Sequence, residues 1–315
     1  MEHILAFERI GKENADLAGG KGASLGEMTK AGIPVPSGFV ILADTSREVI
    51  KTNNLVAEIS ELLKSVKVED TESIDEASKK IRALIADAKT PENIEQEILK
   101  HFDELKAEHV AVRSSATAED STTASWAGEL ETYLNTAREN LLETVKKCWS
   151  SLFTPRAIFY RIEKKMQDED VAVAVVVQKM VASEISGVAF TVHPVTKDPN
   201  SMVIEAGWGL GEAIVGGQVT PDTYTIEKIE NRKSKIVDVY RSEQEMMIVR
   251  DGDETKEAPV RPEKKNKQKL SEKQILELSK ICLDIETHYG KPQDIEWAYD
   301  AEKFYIVQSR PITTL

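Results

Sequence analysis

The sequence predicts an α/β (α+β) protein built in two lobes, and three observations carry that expectation. The chain has 315 residues, long enough to bury more than one core. Residues 45–105 keep helical periodicity over most of their length. A continuous apolar run at 171–177 is followed by a segment that reads mainly as short strands and glycine turns. The expected division places the first lobe at 1–180 and the second at 181–315.

Composition narrows the function classes. Hydrophobic residues make up 41% and charged residues 30%, as in an ordinary folded globular protein rather than a disordered one. The formal charge of −13 argues against a general nucleic-acid or anionic-membrane binder, while leaving room for a local basic pocket. Cys148 and Cys282, far apart in helix-like patterns, make neither a disulfide framework nor a thiolate metal cluster and read as core residues. The N-terminal stretch lacks the apolar run of a signal peptide and no stretch reaches membrane-span length, so the expected location is the cytoplasm.

After a short first strand, residues 14–32 read N-A-D-L-A-G-G-K-G-A-S-L-G-E-M-T-K-A-G. A helix is expected over about 23–31, ended by Gly32 and Pro34. Lys21, set among Gly19, Gly20 and Gly22 at a helix start, is either a phosphate clamp or a solvated lysine in a glycine turn. It is not a P-loop, because Gly22 stands where Ser or Thr is needed.

In the helical region Ile74, Ala77, Ile81, Leu84, Ile85 and Ala88 form one apolar stripe. Thr90 and Pro91 open a further helix whose inner face is Ile94, Ile98, Phe102 and Leu105. Residues 109–135 begin as a buried strand, Val110, Ala111 and Val112, that delivers Arg113. A run of Ser, Thr, Ala and Gly follows, read as a loop, and then a strand around 130–134. Small hydroxyl residues let backbone approach a polyanion, and arginine is the planar, permanently charged donor for phosphate oxygens. A Ser/Thr loop with Arg113 in a surface ion pair is the plainer alternative. Leu141, Leu142, Val145, Cys148, Trp149, Leu152 and Phe153 make another amphipathic helix, with Arg156, Tyr160 and Arg161 after it on a helix surface.

Strands are expected in the second lobe at 187–192, 202–206, 224–228 and 235–240. The glycine-rich loop at 207–222 reads G-W-G-L-G-E-A-I-V-G-G-Q-V-T-P-D and lacks the glycine spacing of a dinucleotide fingerprint. Residues 251–269, with a lysine cluster at 264–269, read as a solvated connection. Ser271 and Gln274 cap a final helix bearing Ile275, Leu278, Cys282 and Ile285. The end, D-I-E-W-A-Y-D-A-E-K-F-Y-I-V-Q-S-R-P, reads as a hairpin turning near 300–304. If residues 299 and 305 pair, Glu296 lies opposite Gln308 and Asp294 opposite Arg310. Ile295, Trp297, Tyr305 and Val307 then fill the other face. Carboxylate and amide oxygens on one face suit Mg²⁺, while a polar outer face with one cross-strand ion pair is the alternative.

These stretches carry a resemblance. V-R-S-S-A-T-A-E-D with S-W-A-G-E-L-E-T-Y-L-N, G-G-K-G-A-S-L-G-E-M with V-P-S-G-F-V-I, G-L-G-E with its P-D, and D-I-E-W with I-V-Q-S-R-P occur here in order over essentially the whole chain. Together they resemble the nucleotide-binding domain of the phosphoenolpyruvate synthase and pyruvate phosphate dikinase family, which includes rifampin phosphotransferase and the glucan water dikinases. The resemblance implies an ATP-grasp fold, two α/β lobes with ATP between them. It implies that Lys21, Arg113 and Arg310 bind phosphate and act in catalysis, that Glu296 and Gln308 hold Mg²⁺, and that Asp294 supports them. Gly128 and Thr132 match positions beside the nucleotide, and Gln178 marks the strand whose main chain meets adenine.

In this family the phosphorylated histidine lies on a separate domain and a barrel then uses it on pyruvate. None of His3, His101, His109, His193 and His288 sits in the family's acceptor context. The resemblance therefore implies an expressed fragment or free-standing subunit. It would transfer a phosphoryl or pyrophosphoryl group from Mg–ATP to a histidine of a phosphohistidine-domain partner, in cis or in trans. Its partners would be ATP and that domain, with no nucleic acid and no membrane. Two alternatives stay open: a rifampin phosphotransferase-like or other dikinase system, and a regulatory module that binds ATP without turnover.

Overall fold

A computed structural model describes residues 2–117, 120–121, 124–125, 130–164, 171–229, 233–252 and 254–312, with backbone alone at 120, 121, 124 and 125. It is α+β, and its contacts divide into two compact units. One comprises Met1–Glu27 with Ser37–Met180, the other Met28–Pro36 with Val181–Leu315. Residues 28–36, expected in the first lobe, thus belong with the second, where the Pro34 carbonyl accepts the Ile306 amide at 2.9 Å.

In the first unit the chain runs β1 (Ile4–Ala6), α1 (Ala15–Lys30), β2 (Gly38–Ile41), α2 (Ala43–Thr52), α3 (Val56–Lys64), α4 (Thr71–Asp87) and α5 (Glu92–Leu105). Then come β3 (Val110–Ala116), the two-residue strands β4 (Asp120–Ser121) and β5 (Ala124–Ser125), β6 (Thr132–Thr136), α6 (Leu141–Ser150), α7 (Pro155–Glu163) and β7 (Val173–Lys179). Helix α4 starts where the Asp70 carboxylate accepts the Glu72 and Ser73 amides, and α7 where Thr154 caps Pro155 at the first turn. Five strands form an antiparallel sheet in the order β1-β2-β7-β3-β6.

The period of two sorts these strands into two faces. Phe39, Ile41, Val110, Val112, Val173, Val175 and Val177 pack with Ile74, Ile81, Ile85, Ile98, Val145 and Trp149 of the helices into one core. The apolar run at 171–177 is thus a buried central strand, as its composition implies. Cys148 and Cys282 are both buried. Arg161, read from sequence as helix surface, is instead buried and lies 6.0 Å from the Phe153 ring centroid.

The second unit contains β8 (Ile185–Phe190), β9 (Ser201–Trp208), the short α8 (Glu212–Val215), β10 (Asp222–Ile229), β11 (Lys233–Tyr240), β12 (Met246–Asp251), β13 (Glu254–Pro259), α9 (Glu272–Tyr289), β14 (Gln293–Asp300) and β15 (Lys303–Pro311). Six of these strands pair in the order β11-β10-β9-β8-β14-β15. Ser271 and Gln274 close a capping box on α9, which ends at a left-handed Gly290. Helix α9 covers one face of the sheet: Glu286 takes Lys228 Nζ at 2.8 Å and Thr191 Oγ1 at 3.1 Å, and Ser279 meets Ser234 at 2.6 Å. That face carries Ala189, Ile204, Tyr224, Ile226, Ile295 and Trp297, all buried. Trp297 lies so close over Gly187 that a Cβ there would come within 2.8 Å of the indole.

Two expectations fail between 246 and 269. Part of the stretch read as a connection is strand, β13, paired with β12 from Met246↔Pro259 to Asp251↔Glu254. The lysine cluster is not uniformly solvated. Lys264 stacks 4.7 Å from the Trp208 ring centroid, and Lys269 is fully buried, its Nζ 2.8 Å from an Asp222 oxygen. Asp222 also accepts the Ser242 and Lys269 amides and the Tyr224 hydroxyl, each at 2.9 Å, so its charge is compensated from every side. Beside this network the Gln244 amide spans Trp208 and Met246, accepting from Trp208 N at 2.9 Å and donating to the carbonyls of both.

Candidate functional site

Each sheet has a second face, opposite its helix-packed one, and the residues singled out in the sequence gather there. In the first unit Arg113 pairs with Thr132 on one side and Val176 on the other, and Ala111 pairs with Gln178. Cross-strand partners share a face, so Arg113, Thr132 and Gln178 stand together, away from Val110 and Val112. Arg113 is only 8% exposed and Gln178 2%, and the Gln178 Nε2 is a buried donor with no hydrogen-bond partner. The Lys179 and Met180 amides are already used, by Ser37 and His109 carbonyls. Gly128 lies outside the described residues.

The glycine turn reaches the same face. Helix α1 begins at Ala15 rather than near 23 and is broken at Gly19, whose φ of 67° and ψ of 171° leave the helical region. Glycine is required there twice over, by the left-handed φ and because a Cβ would fall on the Ser115 hydroxyl and carbonyl oxygens. The Gly22 amide donates to Ser115 Oγ at 3.3 Å, and a Cβ at Gly22 would lie 3.0 Å from Val40. The turn holding Lys21 is therefore docked on the end of β3, two residues beyond Arg113.

Ser114 and Ser115, read as the start of a polar loop, are buried strand residues. Ser114 points the other way, into a chain in which Ser151 donates to Ser114 at 2.9 Å and to the Cys148 carbonyl at 2.7 Å. Burial pushes the Cys148 thiol up to about 12, with the hydrogen bond to Ser114 and, less, the charge of Lys21 acting in the opposite direction. Next to Thr132, Glu131 is held by both Arg82 nitrogens at 3.0 and 2.9 Å and by the Tyr133 hydroxyl at 2.7 Å. Sequence reasoning missed Ser115 and this anchor, since neither contact has a local signature.

In the second unit the face opposite α9 bears Asp294, Glu296, Gln308 and Arg310. Glu296 pairs with Gln308 and Asp294 with Arg310, whose Nε donates to Asp294 at 2.8 Å. The pairing comes about differently from the expectation. Tyr299 meets Phe304, not Tyr305, and a bulge after Glu296 leaves Val307 outside the ladder, which restores the register at 308 and 310. The same bulge corrects the packing. Phe304 and Ile306, rather than Tyr305 and Val307, join Ile295 and Trp297 in the interior, with the Trp297 and Phe304 rings 5.7 Å apart edge to face. Gln308 is 8% exposed. The glycine-rich segment caps one end of this face: Ser186 Oγ donates to the Gly209 carbonyl at 2.7 Å, and α8 sets Ile214 against Gly207.

Hard oxygen donors from a carboxylate and an amide, on adjacent strands and the same face, are the kind of donor set that holds Mg²⁺ beside phosphate oxygens. An arginine and a glycine-turn lysine are the complementary groups for phosphate.

Residues 15–315 match the family model described as "Pyruvate phosphate dikinase, AMP/ATP-binding domain". The chain belongs to that family. It is 49% identical over its whole length to a probable phosphoenolpyruvate synthase of Methanocaldococcus jannaschii, of which the match covers 27%. It is 50% identical over 99% of its length to another of Archaeoglobus fulgidus, covering 42% of that protein. A rifampicin phosphotransferase of Bacillus subtilis is 39% identical over 99% of this chain, the match covering 36% of that protein. The chain therefore spans less than half the length of these relatives. Among the described residues no helix is long and apolar enough to cross a membrane.

Proposed function

We propose that this chain is the ATP-binding part of a phosphoenolpyruvate synthase-like enzyme. It transfers a phosphoryl or pyrophosphoryl group from Mg–ATP to a histidine of a phosphohistidine domain, in cis or in trans, and pyruvate is the final acceptor. Lys21, Arg113 and Arg310 bind phosphate and neutralise charge that grows as a P–O bond of ATP breaks and a P–N bond to the acceptor imidazole forms. Glu296 and Gln308 hold Mg²⁺, which as a Lewis acid offsets phosphate charge, and Asp294 orients Arg310. Gly128, Thr132 and Gln178 line the nucleotide, with the unpartnered Gln178 amide nitrogen as a donor. The observation that carries the reading is the bulged register, which sets Glu296 against Gln308 on the face opposite α9.

Incubation of the purified chain with labelled ATP, with and without a phosphohistidine-domain protein, tests it. Label transfer to that protein, with AMP or ADP formed only in its presence, is the expected result. Saturable ATP binding without transfer to any such domain favours a regulatory module instead.

A further inference from the structure

The helix-covered side of the first unit holds a cavity of about 810 Å³, walled by α2, α3, α6, α7 and the start of β7. Ile50, Ile59, Leu63, Leu152, Phe153 and Val173 give it an apolar interior. Val173 lies on the side of β7 that packs against the helices, so the cavity is across the sheet from Arg113, Thr132 and Gln178. Its size falls within the roughly 300–1,000 Å³ of small-molecule sites, which are likewise mostly apolar with few polar groups.

The charged lining has one sign. Arg47, Lys51, Lys64 and Arg161 contribute to it, and among the described residues no aspartate or glutamate does, in a chain whose formal charge is −13. Arg47 is engaged by Asp44 at 2.7 Å, and Arg161 is buried beside the Phe153 ring. Lys51 and Lys64 are exposed, and among the described residues neither makes an ion pair. Val56 and Val68, which share the lining with them, are exposed apolar side chains. Lysines and valines together at one mouth suit a molecule with an anionic end and an apolar body.

The interior excludes a polar body. Among the described residues Ser46 and Ser60 supply the hydroxyls of the lining, and Ser46 Oγ already donates to the Ala43 carbonyl at 2.7 Å. A sugar or a nucleotide would bury polar groups there without partners.

We infer that this cavity binds an amphipathic anion of the fatty-acid class, with its carboxylate at Lys51 and Lys64 and its chain among Ile59, Leu152 and Val173. The inference is independent of the reading of the nucleotide site.

Calorimetric titration of decanoate below its micellar concentration tests it, with decan-1-ol as the tail alone and acetate as the head alone. One decanoate should bind per chain, about 3- to 10-fold tighter than decan-1-ol, the range that two exposed ion pairs supply. Acetate should give no saturable binding, and high salt should narrow the preference for decanoate. A Lys51→Gln/Lys64→Gln double variant should lose that preference while binding decan-1-ol as before. Ser60→Phe, which fills the cavity from α3, should lose both ligands, its folding verified by thermal melting. Equal affinity for decanoate and decan-1-ol, or a preference undiminished in the double variant, overturns the inference. So does the absence of saturable decanoate binding; pelleting with phosphatidylglycerol vesicles in that case would mark the face as a membrane surface instead.

Discussion

Lys269 and Asp222 form an ion pair from which solvent is wholly excluded, with Nζ and carboxylate oxygen 2.8 Å apart. The lysine precedes α9, and the aspartate opens β10 at the end of the glycine-rich segment. The Pro-Asp step of that segment therefore holds structure together rather than facing a ligand. Removing one partner strands the other charge in the interior. Asp222→Ala should cost about 3–5 kcal/mol of stability, read as a lowered denaturation midpoint. A midpoint within error of the parent would show the network to be dispensable.

Gly19→Ala should damage the first unit out of proportion to one methyl group. The added carbon meets Ser115, and the left-handed φ is costly for alanine. More than about 1 kcal/mol should be lost, where Gly→Ala at an ordinary helical position stabilises. Chemical denaturation checks the stability, and ATP titration should show weaker binding, because the turn carries Lys21.

Lys21→Ala should melt as the parent does while transferring phosphate about 10²–10³-fold more slowly, the usual loss when one group aimed at developing charge is removed. Single-turnover transfer to an acceptor domain measures this. Near-parental rates would take Lys21 out of the site.

Deleting Val307 tests the bulge directly. Without the extra residue Trp297↔Ile306 runs straight on to Glu296↔Gln308 and Asp294↔Arg310, so the pairs keep their register and face while the bulge is lost. Mg²⁺-dependent ATP binding should therefore persist, with the circular dichroism of an α+β protein. Loss of the metal dependence in a folded variant would show that the local twist of the bulge, and not the pairing alone, sets the Glu296–Gln308 geometry.

The raised pKa of Glu205 fixes the sign of a pH effect. Burial makes its folded form bind a proton more tightly than the ordinary value of 4.5, so stability is lost as pH rises from about 4.5 through the folded pKa. Glu205→Gln should therefore melt higher than the parent at neutral pH, with the difference shrinking as pH falls through the folded pKa towards 4.5. A gap that does not change with pH would contradict it.

Which face the candidate site residues share was legible because strand periodicity is a local property. The alternation in D-I-E-W sorts Asp294 and Glu296 from Ile295 and Trp297 without any knowledge of the fold. The bulge at Val307 was not legible, since nothing at that valine distinguishes a residue outside the ladder from one within it. Lys269 closes a run of lysines, and its burial depends on Asp222, 47 positions earlier. Gly19 reads as a turn residue, but the reason it must be glycine is Ser115, supplied by a distant strand. Periodicity reports which face a side chain occupies; what it meets there is set by partners far along the chain.

The Gln244 amide does for Trp208 and Met246 what a peptide group of a neighbouring strand would do. The β12–β13 ribbon is consequently rooted at its base, by that side chain and by bonds such as Leu210 N to Ile248 O, while its far end turns at a left-handed Gly252. New chain ends opened beside Gly252, with the original ends joined by a linker, would cut none of the pairings of the six-stranded sheet. The ribbon is thus a natural place to rewire the order of the polypeptide while keeping the Glu296–Gln308 pairing whole.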